Sequence, residues 1–334
     1  MKNKLIIIFI IVILTIGSYS ALGSNQQLKN NIKNDFENNK NNYALGLIYE
    51  DPENIAAKYD TIEILGNAPT QWDWRDVNGE DWTTPIRDQG RCGSCYAFGA
   101  LAAMETIYNI NKNNPDIDID LSEQYIVSCG PKKYPIHIDG CCGATITGTL
   151  AYIEKFGTVD ENRFTYQAID AKGRDAGDCG WQGSHDPVEC PGLDGPFYKT
   201  SKASFLFSID EMKDAIYNYG PIVATMKVYE DFREYTGGIY KSDYNGYLGG
   251  HLVAIVGYND NPGYWICKNS WGTEWGEDGW FRIAYDECYI DDPYASACFK
   301  TCSRPRAINS FFGFFGNNIF EKFPLIQQLF NLLK

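Results

Sequence analysis

Arg87-Asp88-Gln89-Gly90-Arg91-Cys92-Gly93-Ser94-Cys95-Tyr96-Ala97-Phe98 is the stretch on which the reading of this chain turns. Gln89, Gly90, Gly93 and Ser94 predict a loop. From Cys95 onward the pattern becomes helical, with Ala97, Leu101, Met104 and Tyr108 on one side and Phe98, Ala102 and Glu105 adjoining. Cys95 is thus placed at the first turn of a mostly buried helix. Unpaired backbone N–H groups and the macrodipole at that end favour negative charge. They lower the pKa of a thiol, and the thiolate is the nucleophile. The glycines allow the loop to fold tightly against a bound chain. Two other readings of Cys92-Gly93-Ser94-Cys95 stand beside this one. A redox pair wants a thioredoxin-like strand before the motif, and none is evident. Half of a zinc site wants a second ligand pair, and the adjacent Cys141 and Cys142 are poorly placed to chelate one ion together.

A thiol nucleophile needs a base, and the base needs an orienting group. The chain holds three histidines. His137 and His185 sit among Pro, Gly, Asp and Lys and read as loop residues. His251 instead opens the apolar run Leu252-Val253-Ala254-Ile255-Val256 after Gly249-Gly250, a buried strand. The turn cluster Asn259-Asp260-Asn261-Pro262-Gly263 follows, and then Tyr264-Trp265-Ile266-Cys267-Lys268-Asn269, a second strand. A hairpin centred near Asp260 brings His251 beside Asn269. An amide oxygen there fixes the imidazole tautomer without adding charge. Gln89, on the nucleophile's own loop, offers with the backbone N–H of Cys95 an oxyanion hole.

Outward from this centre the composition narrows the class. The 334 residues are 44% hydrophobic and 15% aromatic, which excludes a disordered or fibrous chain. With 43 acidic against 29 basic residues the net charge is −14, which speaks against nucleic acid as a partner. Most of that acidity falls on the central region. Lys2 and Lys4 precede the apolar run Leu5 to Ile16 and then small residues, a secretory signal spanning 1–23. A spanning helix needs about 20 apolar residues. Export would place most of the 11 cysteines in disulfides. Residues 24–68, rich in Asn and free of Cys and Trp, read as a pro-segment or spacer. The hydrophobic tail 303–334, with Phe311-Phe312-Gly313-Phe314-Phe315, reads either as a segment contacting a membrane surface or partner, or as a flap on the domain.

Gln89 to Phe98, the Gly250-His251 strand and Asn269-Ser270-Trp271-Gly272 together closely resemble the papain-like cysteine peptidases, over about residues 70–300. The resemblance implies an α+β, two-lobe fold: a helical N-terminal lobe near 70–190, a β-barrel-like C-terminal lobe near 191–302, and a cleft between, within a peptidase domain at 69–302. It implies Cys95 as nucleophile, His251 as base and then acid, Asn269 as its orienting residue and Gln89 as oxyanion donor, with no cofactor and no metal. Trp271 would shield the His–Asn bond. Gly143 and Ala144 would pair with extended substrate, although Ala144 stands where the family has glycine, and Gly250 would be the small neighbour before the base. Tyr96 stands where tryptophan is commoner, so its hydroxyl needs a partner. By resemblance Cys92 would pair with Cys141 and Cys129 with Cys179. The expected activity is hydrolysis of polypeptides through an acyl-enzyme thioester, by a secreted endopeptidase made as a precursor and working in an extracytoplasmic, lysosome-like or cell-surface setting. An acyl transferase on the same fold and a non-catalytic secreted binding protein are the alternatives.

Overall fold

Helix α1 (Cys95–Lys112) is buried without a break from Cys95 to Ile107. Such a helix cannot sit on a surface, so the chain must cover it on every side. It ends at Asn113, which takes the left-handed conformation and donates its N–H back to Asn109 and Ile110. The computed structural model describes residues 43–303, apart from 51–54, 56–61, 63, 118, 182, 196 and 300. The predicted signal sequence, residues 24–42 of the predicted pro-segment and the tail from 304 onward therefore lie outside the described residues.

On one side α1 meets α2 (Glu123–Lys133) and α3 (Ile146–Lys155). Ser122 caps α2 by accepting the N–H of Tyr125, and Thr145 caps α3 by accepting that of Gly148. On the other side lies a sheet of β1 (Gln71–Asp73), β3 (Ser204–Leu206), β4 (Ile222–Tyr229), β5 (Ile239–Tyr240), β6 (Tyr247–Asn259), β7 (Tyr264–Lys268), β8 (Trp280–Ala284) and β9 (Ser296–Cys298). Its order is β3-β9-β4-β6-β7-β8-β5, with β1 paired to β6. All pairs are antiparallel except β5 with β8. The central strand β6 is apolar on both faces because both are covered. Leu252 and Ala254 belong to the core around α1, Val253 and Ile255 to a second core that includes Phe232, Trp271 and Trp275. Helix α4 (Ile209–Tyr219), capped by Ser208, lies on that second side.

The two-lobe α+β arrangement thus follows the expectation, with one refinement. The lobes are not clean halves of the sequence, since β1 at the start of the domain joins the sheet of the second lobe, and β2 (Lys199–Thr200) pairs with β10 (Cys302–Ser303) off that sheet.

The disulfides require a correction. Cys92 pairs with Cys141 as the resemblance implied, but Cys129 pairs with Cys190, not with Cys179, which pairs with Cys142. Ser128 donates its hydroxyl to the carbonyl of Val188, which draws residues 188–190 against α2. Cys179 follows the turn at Ala176–Asp178, whose Ala176 N–H bonds the carbonyl of Arg91, and this holds it on the nucleophile-loop side. Cys267 and Cys288 remain buried thiols.

Candidate functional site

The hairpin β6–β7 carries His251 and Asn269, but not in the expected register. Asn259 faces Tyr264 and Ala254 faces Lys268, with a bulge between Ile255 and Gly257. The centre therefore lies nearer Asn261 than Asp260. Asn269 is reached diagonally: its Oδ1 is 2.8 Å from Nε2 of His251. The ring of Trp271 stands 4.9 Å from the imidazole, centroid to centroid, and covers this bond. Because Asn269 Oδ1 can only accept, Nε2 carries the proton, and Nδ1, buried with no hydrogen-bond partner, is left to accept one.

Cys95 begins α1 and is fully buried. Ser94 precedes it but makes no side-chain cap, so the first-turn N–H groups remain available. The backbone N–H groups of Leu252, Gly46, Tyr96 and Cys95 itself lie close enough to the thiol to favour its charged form. The Leu252 contact sets Cys95 against the strand that carries His251. Gly99 makes that approach possible, because a Cβ there would stand 2.4 Å from Cδ2 of Leu252.

Gln89 is held at both ends of its amide. Its Oε1 accepts from the hydroxyl of Ser270 at 2.7 Å, and its Nε2 donates to the carbonyls of Ala44 and Cys92, each at 2.9 Å. Ser270 was not singled out in the sequence, although it lies inside the Asn269-Ser270-Trp271-Gly272 string. Tyr96 finds the partner its hydroxyl needs in the carbonyl of Gly140, at 2.9 Å.

The cleft is filled by the chain's own residues 43–50. Tyr43 stacks on Trp271 at 4.5 Å. Leu47 N–H bonds the carbonyl of Gly250, Ile48 N–H bonds that of Ala144, and Ala144 N–H bonds the carbonyl of Gly46. Both walls thus pair with one extended segment. Ala144, the departure from the family pattern, makes both of its main-chain bonds. Gly250 and Gly143 are needed as glycines, since a Cβ at Gly250 would stand 2.8 Å from the Leu47 carbonyl and one at Gly143 2.4 Å from the Gly46 carbonyl. Glu50 ends the run on α3, accepting from the N–H and hydroxyl of Thr147. Beside the segment lies a cavity of about 470 Å³ walled by Ile146, Thr225, Lys227, Tyr294 and Ala295.

This cover reverses the electrostatics expected from the helix terminus. Burial pushes the Cys95 thiol up to about 11, against the four backbone N–H groups that pull it down. Burial also lowers His251 to about 4, against the bond from Asn269. The pair therefore rests as thiol and neutral imidazole.

The competing readings of Cys92 and Cys95 end with the Cys92–Cys141 bridge, which leaves Cys95 without a redox partner in the motif. Among the described residues one group, Asp175, Asp178 and His185, approaches a metal-ligating arrangement, and Asp175 there is paired with Arg91 at 2.9 Å.

Residues 68–298 match the family model described as papain family cysteine protease. The chain belongs to that family. It is 32% identical over 228 residues to cathepsin Z of Onchocerca volvulus, covering 66% of this chain and 71% of that one. It is equally 32% identical over 244 residues to cathepsin B-like CP3 of Giardia intestinalis, covering 70% and 75%. Among solved structures, procathepsin B S9 of Trypanosoma congolense superposes with a TM-score of 0.61 at 20% identity, over 78% of this chain and 86% of that one, a likeness of fold. The protein is accordingly a cysteine peptidase of the papain family, acting on polypeptides.

Proposed function

We propose that the chain is a secreted cysteine endopeptidase made as a latent precursor, with residues 24–68 as its pro-segment. The observation that carries this reading is the course of residues 43–50. They run past Cys95 on both sides, from Trp271 to Thr147, bonded to both walls through the main chain. A groove that takes eight residues of extended chain across its nucleophile suits cleavage within a polypeptide rather than at its end. Residues 175 and 176 bond the nucleophile loop at Arg91, through the Asp175 carboxylate and the Ala176 N–H.

With 43–50 withdrawn, water and substrate replace the burial that holds the pair neutral. His251 Nδ1 takes the Cys95 proton, and the thiolate attacks the peptide carbonyl. The tetrahedral oxyanion is held by Gln89 Nε2, which now holds the Ala44 carbonyl, and by the N–H of Cys95. The imidazolium then protonates the leaving amine, and water, activated by His251, hydrolyses the thioester. Asn269 keeps the ring in the orientation this exchange needs. The three disulfides support an extracytoplasmic location, in keeping with a signal sequence at 1–23. Active-site titration with a peptide electrophile, before and after removal of residues 1–68, tests the reading. At neutral pH, one equivalent bound rapidly at Cys95 only after removal is expected. Turnover retained by Cys95→Ala would overturn it.

A further inference from the structure

Tyr166 lies outside the motifs, on the segment after α3, yet its hydroxyl reaches the nucleophile loop at two points. It is 2.8 Å from the carbonyl oxygen of Gln89 and 2.6 Å from Oγ of Ser94. A phenol has one hydrogen, and the carbonyl can only accept it, so Ser94 donates to the phenolic oxygen. One oxygen atom therefore bridges the residue that carries the amide aimed at the oxyanion and the residue directly before the nucleophile. The ring is fixed independently: it packs edge-on against Phe98 at 4.8 Å, and its backbone N–H bonds Glu161 at 2.6 Å. On the far side of Gln89, Ser270 secures the backbone N–H through its carbonyl at 2.8 Å and the amide oxygen through its hydroxyl. Among the described residues, the only other hydrogen bond to the Gln89 carbonyl comes from the N–H of Cys92 at 3.3 Å, a longer bond from within the same loop.

We infer that Tyr166 is a positioning residue for catalysis: its hydroxyl sets the distance between the Gln89 amide and the Cys95 backbone, the two donors of the oxyanion hole. This rests on the assignment of Gln89 proposed above. Removing an oxyanion donor outright costs roughly 10²–10³ in kcat, and misplacing one costs less. Tyr166→Phe, which keeps the ring and its packing, is therefore expected to lower kcat about tenfold.

The test uses the full chain after proteolytic activation. Tyr166→Phe is expected to keep KM for a peptide amide within about twofold while kcat falls. Alkylation of Cys95 by iodoacetamide, a displacement that forms no oxyanion, should keep its rate and pH profile, which a merely structural loss would not allow. In a Gln89→Ala background the same substitution should change kcat less than about twofold, because residues acting as one unit are not additive. Unchanged kcat in Tyr166→Phe, an equal fall in the Gln89→Ala background, or alkylation that slows in step with turnover would each overturn the inference. If Gln89→Ala itself leaves kcat intact, the oxyanion assignment falls and takes this inference with it. A silent Tyr166→Phe beside an impaired Gln89→Ala removes the inference alone.

Discussion

Gly46 crosses the nucleophile loop so closely that a Cβ on it would stand 1.7 Å from the carbonyl oxygen of Gly93. The obstruction is backbone, so no side chain can turn aside to relieve it. Gly46→Ala should therefore expel the covering segment while leaving the domain intact. Before any processing, the full chain carrying it is expected to turn over a peptide substrate at least about tenfold faster than the unaltered chain, equivalent to about 1.4 kcal/mol of lost closure. Equal latency in the two chains would mean that another segment closes the site.

The pH dependence of closure follows from the buried pair. His251 has its pKa lowered from 6.5 to about 4, so its neutral form contributes stability to the closed state that is complete above pH 6.5 and is lost as pH falls towards 4. The difference amounts to about 3 kcal/mol. Cys95 is raised from 9.0 to about 11, so its contribution is present below pH 9 and fades only as pH climbs through 11. Acid should thus open the site where neutral solution does not. Labelling of Cys95 by a peptide electrophile in the uncut chain is expected to quicken between pH 7 and pH 4.5, opposite to the trend of an ordinary thiol. Labelling that slows steadily with acid would contradict this.

Asn269→Ala removes the one bond to the Nε2 of His251 and leaves a buried N–H unsatisfied. Such a loss costs about 1–3 kcal/mol of stability. Asn269 also raises the imidazole pKa, so its removal moves His251 further down. The kcat of the activated enzyme should drop about tenfold or more, measured at a temperature where circular dichroism reports the variant folded. A drop confined to KM would point to a role in substrate binding instead.

The corrected bridge Cys129–Cys190 joins residues 61 apart. Replacing both by Ser should lower stability by about 2–4 kcal/mol in chemical denaturation. Peptide mapping without reduction should recover Cys129 joined to Cys190 and Cys142 joined to Cys179. A Cys129–Cys179 peptide would refute the arrangement.

What could be read from the sequence was local or stood on a turn. The helix from Cys95 is legible because its apolar pattern runs unbroken, and the His251–Asn269 pair because one tight turn joins two strands. Register was legible only to within about two residues, since the bulge between Ile255 and Gly257 leaves no mark in composition. Tyr166 and Ser270 were invisible as partners of Gln89, because their contacts span 77 and 181 positions. The helix-terminus argument gave the right place for the thiol but took no account of its burial, which pushes the pKa the other way.

Strand β1 is paired to β6 through Gln71, Trp72 and Asp73, beside the hairpin that bears the imidazole. Leu65 and Gly66 are tied just upstream, both donating their N–H groups to Asp214 on α4. The plug in the groove is therefore leashed at a fixed point on the same rigid body. While the leash is whole, a departing plug stays at a local concentration on the order of millimolar whatever the dilution of the protein. On the proposed precursor reading, opening is then a reversible breathing motion, and a cut in the chain between Glu50 and Gln71 would make it a one-way step.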